Sequence, residues 1–259
     1  MKPTPTLARL ESSPPGHFAR SGAAVTERRE GVSPAPYASL NLGRSVSDDP
    51  ERVTENERRA LASLRLEDRV ARLRLEHGAQ ILLVRDPGLH GPADALMTSD
   101  SSLVLWLTVA DCYPVALEAG EWRALAHCGW RGAAAGLAEA TAAALSHAAE
   151  LSPAEIRAWI GPGIGACCYE VGPEVTTQFS ARAFTVDPAS GRARLDLRGD
   201  LRDRLREAGL PDEAIAVSAA CTSCERERFF SHRRDGFPCG RMAAIAWAHQ
   251  RDAAPSTSS

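Results

Sequence analysis

Three short apolar runs, at residues 103–109, 115–118 and 123–126, lie in the middle of this 259-residue chain. Pro114 separates the first two runs, and Gly120 falls between the second and the third. Apolar runs of this length, bounded by turn residues, are typical of buried strands, and the last two predict a hairpin around Gly120. We therefore expect a strand and a hairpin next to one another in the core.

Helices and further strands are predicted along the rest of the chain. Helices are predicted at residues 47–64, with Asp48 or Asp49 as the cap, at 132–150, and from the cap Asp196 to the stop at Gly209. Further strands are predicted at residues 79–84, 215–220 and 242–248. Because strands and helices mix without strict alternation, the pattern favours the α+β class over a doubly wound parallel sheet.

The length of the chain is near the upper limit for a single hydrophobic core. No internal repeat or long linker divides it, so we expect one catalytic domain at residues 17–252. Residues 1–16, which are rich in Pro, Ser and Thr, and residues 253–259 are expected to be flexible. No apolar stretch has the length of a signal peptide core or a membrane span, which favours a cytoplasmic protein without a membrane partner.

The charged residues exclude several classes of function. The formal net charge of -3 provides no electrostatic footprint for nucleic acid, so a small-molecule partner is favoured. Lys2 is the only lysine, and the other 29 of the 30 basic residues are arginine. Schiff-base catalysis and phosphate binding by a P-loop both need a suitably placed lysine, so neither is available to this chain.

The seven cysteines are an odd number in a chain too large to depend on disulfides, so free thiols in a reducing compartment are expected. Cys221 and Cys224 form a single CxxC pair with no second pair at zinc-finger distance, which favours a structural role. The adjacent Cys167 and Cys168 are expected to pack beneath the glycine-rich loop at 161–165.

Reactive side chains lie where the apolar runs end. Asp111 and Cys112 follow the first run, His127 follows the third, and His77 precedes the predicted strand at 79–84. One thiolate and two imidazoles suit zinc or copper, and three ligands leave the open position of a catalytic site. From residue types alone, an inert buried cysteine and structural histidines remain the alternative.

Arginines near these positions are candidates for binding an anionic substrate. Arg131 is the strongest, because Trp130 and nearby glycines would be costly on a purely solvated helix. Arg233 and Arg234 are further candidates. The alternative for any single arginine is a surface charge or a structural ion pair.

Eight segments, in this order along residues 26–247, resemble the YfiH-type laccase-domain family, whose members are regarded as purine nucleoside phosphorylases and were formerly called polyphenol oxidases. The segments are residues 26–33, 36–43, 77–78, 93–96, 110–114, 127–132, 160–172, and 229–236 with 240–242. The resemblance implies a layered α-β-β-α sandwich with mixed sheets, similar to the cytotoxic-necrotizing-factor type of cysteine hydrolase. It also implies that His77, Cys112 and His127 bind zinc, with copper as the alternative metal.

The resemblance further implies phosphorolysis of adenosine, inosine and S-methyl-5'-thioadenosine, with adenosine deamination as a side activity. The expected partners are purine nucleosides and phosphate, and the expected state is a monomer or homodimer. Cys112, His127 and Asp111 are the expected catalytic residues. Asp111 would act as a proton relay or as the partner of a ligand histidine. The alternative for Asp111 is a turn residue at the end of a strand. Arg28, Asn41 and Arg131 are expected to bind the substrate or phosphate.

Three other functions remain open at this point. The first is a copper polyphenol oxidase, although seven histidines are few for a multicopper cluster. The second is a metal-free cysteine hydrolase with Cys112 as nucleophile and His127 as base. The third is a binding module without catalysis.

Overall fold

The apolar runs of the sequence form central strands of two facing β-sheets. The computed structural model describes residues 7–188 and 190–249. The strands of the first sheet are β1 (Leu10–Ser12), β2 (Ser21–Thr26), β3 (Val70–Leu73), β5 (Gly88–His90), β7 (Val104–Val109) and β15 (Met242–Ala248). Their spatial order is β1-β2-β15-β7-β3-β5, with both parallel and antiparallel pairs.

The second large sheet contains the predicted hairpin. Its strands are β4 (Ile81–Leu83), β6 (Ala95–Thr98), β8 (Tyr113–Ala119), β9 (Trp122–Cys128), β10 (Arg157–Ile160) and β14 (Ile215–Val217). Their spatial order is β14-β10-β8-β9-β6-β4, again with mixed pairing. A small antiparallel sheet is formed by β11 (Glu170–Val171), β12 (Phe184–Val186) and β13 (Ala193–Leu195).

The α-helices are α1 (Pro50–Ser63), α2 (Trp130–Ala134), α3 (Leu137–Ala149), α4 (Pro173–Thr176), α5 (Leu197–Glu207) and α6 (His232–Asp235). Helix α1 covers the outer face of the first sheet, and α3 and α5 cover the outer face of the second. Short 3-10 helices occur at Pro153–Glu155, Ala181–Ala183 and Asp212–Ala214. None of the helices in the described part of the chain has the length and apolar character needed to cross a membrane.

The layers follow from the alternation of side chains along each strand. On β7, Leu105 and Leu107 belong to the apolar cluster between the sheets, whereas Val104 and Trp106 belong to the cluster beneath α1. Along the strands of the second sheet, side chains likewise alternate between the cluster that lies between the sheets and an outer cluster that is covered by α3 and α5. Because successive residues of a strand point to opposite faces, two such sheets produce an α-β-β-α arrangement.

The structure confirms several elements predicted from the sequence. Strands β8 and β9 pair as an antiparallel hairpin, with Tyr113 opposite Cys128. Helix α1 begins after Asp49, whose side chain accepts a hydrogen bond from the backbone of Glu51. Helix α5 follows the cap Asp196 and stops before Gly209, which has a positive φ of 100°.

The prediction of one helix over residues 132–150 is wrong. Helix α2 ends at Ala134 and α3 begins at Leu137, because Gly136 adopts a left-handed φ of 83° that helical geometry does not allow. Within the segment expected to be flexible, residues 10–12 pair with β2 as strand β1. Residues 1–6 and the expected tail at 253–259 lie outside the described residues.

Truncation of Leu105 tests the sandwich arrangement. Its side chain is 0% exposed between the sheets, so Leu105→Ala should lower the free energy of unfolding by about 2–5 kcal/mol. Leu89→Ala is the control, because Leu89 is 71% exposed and its truncation should change stability by less than about 0.5 kcal/mol. Equal losses in denaturant unfolding would contradict the layer assignment.

Candidate metal centre

The hairpin brings Cys112 and His127 together. Cys112 directly precedes β8, and His127 lies near the end of β9, opposite Pro114. Asp111, just before Cys112, has a left-handed φ of 90°, a conformation that persists only where the surroundings hold it. The turn between β7 and β8 therefore delivers the thiol to the end of the neighbouring strand.

His77 reaches the same place from the loop between β3 and β4. Its backbone also has a positive φ, of 62°, and its N–H donates a 3.0 Å hydrogen bond to Asp94 Oδ1. The N–H of Gly78 donates to the other oxygen, Asp94 Oδ2, at 2.6 Å. Asp94, which directly precedes β6, thus fixes the loop that carries His77.

One ligand atom from each of His77, Cys112 and His127 can lie within 4.8 Å of the other two. The two imidazole rings meet edge to face, with 4.9 Å between their centroids. A Cβ on Gly129 would lie 3.0 Å from Cys112 Sγ, so a larger residue at this position would crowd the thiol. One thiolate and two imidazoles fit a zinc ion and leave its fourth position open.

Asp94 orients His127 as well as His77. Its Oδ1 lies 3.1 Å from His127 Nδ1, which leaves Nε2 of the ring available for a metal. A ligand histidine that donates its other ring N–H to a carboxylate is the common arrangement at protein metal sites. The sequence prediction gave this role, or that of a proton relay, to Asp111. Asp94 was marked only as a member of the family segment 93–96, which assigns it no role.

Asp111 instead holds two loops together. Its Oδ1 accepts a 2.6 Å hydrogen bond from the hydroxyl of Thr222, and its Oδ2 accepts a 2.7 Å bond from the backbone N–H of Arg233. Both carboxylate oxygens are therefore engaged away from the ligand histidines. This arrangement agrees with the alternative of a turn residue at a strand end.

The charges at the centre are strongly coupled. Burial by itself raises the pKa of Cys112, but His127 and His77 outweigh it and lower the pKa to about 6. Burial lowers the pKa of His127, but Cys112 and Asp94 outweigh it and raise the pKa to about 9. The thiol is thus held in the thiolate form, which is the form that binds metals or acts as a nucleophile.

Two cavities meet at this centre and share His77, Ala110, Cys112 and His232 as lining residues. The smaller cavity, of about 210 Å³, is also lined by Arg131, Tyr169 and Arg233, among others. The larger, of about 830 Å³, extends toward His127 and is bounded by Leu42, Leu75, Trp106, Arg72, Arg74 and Arg241, among others. Volumes between about 300 and 1,000 Å³ are typical of small-molecule sites.

Two arginines line the smaller cavity. Arg131 is exposed, its guanidinium lies 4.3 Å from the centroid of the Trp130 ring, and it forms no ion pair within residues 7–188 and 190–249. Arg233 lies over Tyr169 and donates to the carbonyl of Glu170. Arg131 therefore has a guanidinium available for an external anion.

The structure does not bring Arg28 or Asn41 to the lining of either cavity. The guanidinium of Arg28 donates to the carbonyls of Ala38 and Arg226. Asn41 is fully buried, and its side-chain oxygen accepts hydrogen bonds from the backbone of Gly43 and Arg241. In both cases the polar side chain serves internal contacts, so the expectation of substrate binding is not supported for these two residues.

The cysteine pairs also differ from expectation. Cys167 is exposed and Cys168 is partly exposed, although Cys167 does contact the loop at 161–165, where a Cβ on Gly165 would lie 3.2 Å from its sulfur. They lie beside Cys224, with sulfur–sulfur distances of 3.4 and 3.3 Å. The CxxC pair thus meets a second pair from a distant part of the chain.

Comparison with known proteins gives the family. Residues 22–249 match the family described as multi-copper polyphenol oxidoreductase laccase. Purine nucleoside phosphorylase YlmD of Geobacillus stearothermophilus is 36% identical over 252 residues, covering 88% of this chain and 90% of that protein. Purine nucleoside phosphorylase YfiH of Escherichia coli is 38% identical over 232 residues, covering 87% and 93%.

The crystal structure of YlmD from Geobacillus stearothermophilus superposes with a TM-score of 0.85 at 34% identity, over 91% of this chain and 94% of that one. The chain belongs to the laccase-domain family that includes these YfiH and YlmD proteins. The resemblance noted in the sequence is therefore confirmed.

Removal of the Asp94 charge tests the geometry of the centre. Asp94→Asn should weaken metal binding by about 10–100-fold, because His127 loses the carboxylate that fixes its ring. Asp100→Asn is the control, since among the described residues the carboxylate of Asp100 contacts only the neighbouring Ser102 and a surface arginine, Arg69, and lines neither cavity. Competition titration with a chromophoric chelator measures the affinity, and equal affinities for the two variants would refute the assigned role.

Proposed function

We propose that this protein is a zinc-dependent purine nucleoside phosphorylase. The relatives named above carry that activity in their names, and they align with nearly the whole chain. A donor set of one thiolate and two imidazoles suits zinc with an open position. The fit of the site to an anionic co-substrate adds independent support.

One observation carries the proposal: the unpaired guanidinium of Arg131 lines the same small cavity as His77 and Cys112. Phosphate needs charged donors arranged in a fork, and arginine meets this need in a bidentate way. Arg233, on the same cavity, adds a second positive charge. The cavity of about 210 Å³ suits a small anion rather than a nucleoside.

The larger cavity is proposed to hold the nucleoside. Its volume of about 830 Å³ and its walls, partly apolar from Leu42 and Leu75, fit a purine and its sugar. Because the two cavities meet at Cys112, phosphate and the sugar carbon would face each other there. We propose adenosine, inosine and S-methyl-5'-thioadenosine as the substrates.

In the proposed reaction an oxygen of hydrogen phosphate forms a bond to C1' of the sugar as the N-glycosidic bond breaks. The electron pair of the broken bond leaves with the base, which takes up one proton while the phosphate gives one up. The sugar passes through an oxocarbenium-like state, as in glycoside cleavage. Arg131 and Arg233 hold the anion against this developing positive charge. Zinc, when bound, supplies Lewis-acid stabilisation at the centre.

The protein's own residues keep the centre in order during the reaction. Asp94 holds the tautomer of His127 and the backbone of His77, so both rings keep their orientation.

Adenosine deamination is proposed as a side activity, because a catalytic zinc site lowers the pKa of bound water to near 7. We also propose that the protein is cytoplasmic and that it is a monomer or a homodimer.

A metal-free cysteine hydrolase is the second candidate, and one observation favours it. His127 lowers the pKa of Cys112 to about 6, as in a nucleophile–base pair. Activity that survives chelation but is abolished by alkylation would favour this candidate. We propose the zinc enzyme instead, because a third donor, His77, converges on the same thiol.

A multicopper oxidase is disfavoured by the distribution of histidines. All seven lie in the described ranges, and among them only His77 and His127 belong to a group of three or more potential metal ligands. A coupled copper cluster needs many more imidazoles in one place. A colourless protein that is active on nucleosides would reject copper at the single site.

Replacement of Arg131 tests the phosphate site. Arg131→Ala should reduce kcat/KM for phosphate by about 10–100-fold, the loss expected when charge-assisted hydrogen bonds worth about 1.5–3 kcal/mol are removed. Arg202→Ala is the matched control, because Arg202 forms a surface ion pair with Asp212 and lines neither cavity. Steady-state assays over a range of phosphate concentrations measure the change.

The activity itself is tested with purified protein, adenosine or inosine, and phosphate. Ribose 1-phosphate and free purine should appear, and Cys112→Ala should abolish them while lowering the bound metal by one equivalent per chain. The absence of ribose 1-phosphate from reactions of fully metallated wild-type protein would overturn the proposed function.

A further inference from the structure

A second group of potential metal ligands lies outside the centre described above. The sulfur atoms of Cys167, Cys168, Cys221 and Cys224 all lie within 4.8 Å of one another. In a tetrahedral thiolate site with Zn–S bonds of about 2.3 Å, the sulfurs would be about 3.8 Å apart. The observed sulfur separations of 3.3 and 3.4 Å for two pairs, and at most 4.8 Å for the others, bracket that value.

The fold, rather than local sequence spacing, assembles this group. Strands β10 and β14 are parallel neighbours, so the loops that follow them leave the sheet side by side. Gly163 forms an isolated bridge with Cys221, and the N–H of Thr222 donates to the Gly163 carbonyl at 3.0 Å. The CxxC loop and the loop carrying Cys167 and Cys168 are therefore held in register.

The backbone around Cys221 is arranged to stabilise a thiolate. The N–H of Gly165 donates to Cys221 Sγ at 3.2 Å, and the N–H of Cys224 donates to the same sulfur. Two N–H donors on one sulfur favour its negative form, which is the form that binds a metal. Such a turn in a CxxC segment suits a chelating pair of thiolates.

The chemistry of the donors selects the ion and its role. Four thiolates in a tetrahedron are typical of zinc and of iron–sulfur centres, and they leave no open position for a substrate. In contrast to the centre at Cys112, this group contains no histidine. The arrangement therefore fits a structural ion.

We propose that Cys167, Cys168, Cys221 and Cys224 bind a second, structural zinc ion. The ion joins two loops that form walls of the proposed active site. One loop continues into Tyr169, which lines the smaller cavity and packs against Arg233.

The other loop holds Thr222, whose hydroxyl fixes Asp111, the residue before the ligand Cys112. The structural ion thereby stabilises the position of Asp111 and of the cavity wall. This role is independent of the reaction that the first centre catalyses.

Metal content per chain tests the proposal in the holoprotein prepared under reducing conditions with zinc. Wild type should contain two zinc ions, and Cys224→Ser should contain one, because the exposed Cys224 contributes a ligand without packing in the core. Cys239→Ala is the control and should retain two, since Cys239 is a buried thiol outside both ligand groups. Cys112→Ala should contain one.

Substitution with Co²⁺ shows which ligands bind the remaining ion. The strong sulfur-to-cobalt absorption of an all-thiolate site should persist in Cys112→Ala and disappear in Cys224→Ser. If Cys224→Ser does not fold, the result for Cys112→Ala decides. One thiolate-bound metal ion per chain in this variant supports the proposal, and the absence of bound metal overturns it. A wild type with one ion that Cys224→Ser retains, or a disulfide among the four cysteines in reduced holoprotein, would also overturn it.

Discussion

The metal centre depends on the hydrogen bonds of one buried carboxylate, that of Asp94. It accepts hydrogen bonds from the backbone of His77 and Gly78 and lies 3.1 Å from Nδ1 of His127. A fully buried carboxylate is costly unless it is fully satisfied, so its partners are held firmly in place. Two ligands from separate elements are thereby fixed by one side chain, and the hairpin supplies the third.

Much of this arrangement could be predicted from the sequence, because it depends on local patterns. The apolar runs on either side of Gly120 predicted the hairpin, and the hairpin places Cys112 beside His127. The role of Asp94 could not be predicted, since its contact with His127 spans 33 positions and depends on the pairing of β6 with β9. The break at Gly136 was missed because glycine is also tolerated inside helices.

Long-range contacts also explain the residues whose predicted roles changed. Asn41 lies in a segment shared with the family, but its side chain bonds the backbone of Arg241, 200 positions away. Cys167 and Cys168 meet the CxxC pair only because β10 and β14 are parallel neighbours. A shared segment therefore identifies a family without distinguishing a binding residue from one that maintains the fold.

The metal centre lies between two cavities, a small one lined by Arg131 and Arg233 and a larger one with partly apolar walls. This division suits a reaction that joins an anion to a sugar carbon. Anomalous diffraction at the zinc absorption edge, from crystals grown with phosphate, tests it most directly. The account predicts a zinc peak at bonding distance, about 2.0–2.3 Å, from His77, Cys112 and His127, with phosphate beside Arg131. No zinc at these three residues, or phosphate bound only elsewhere, would contradict the account.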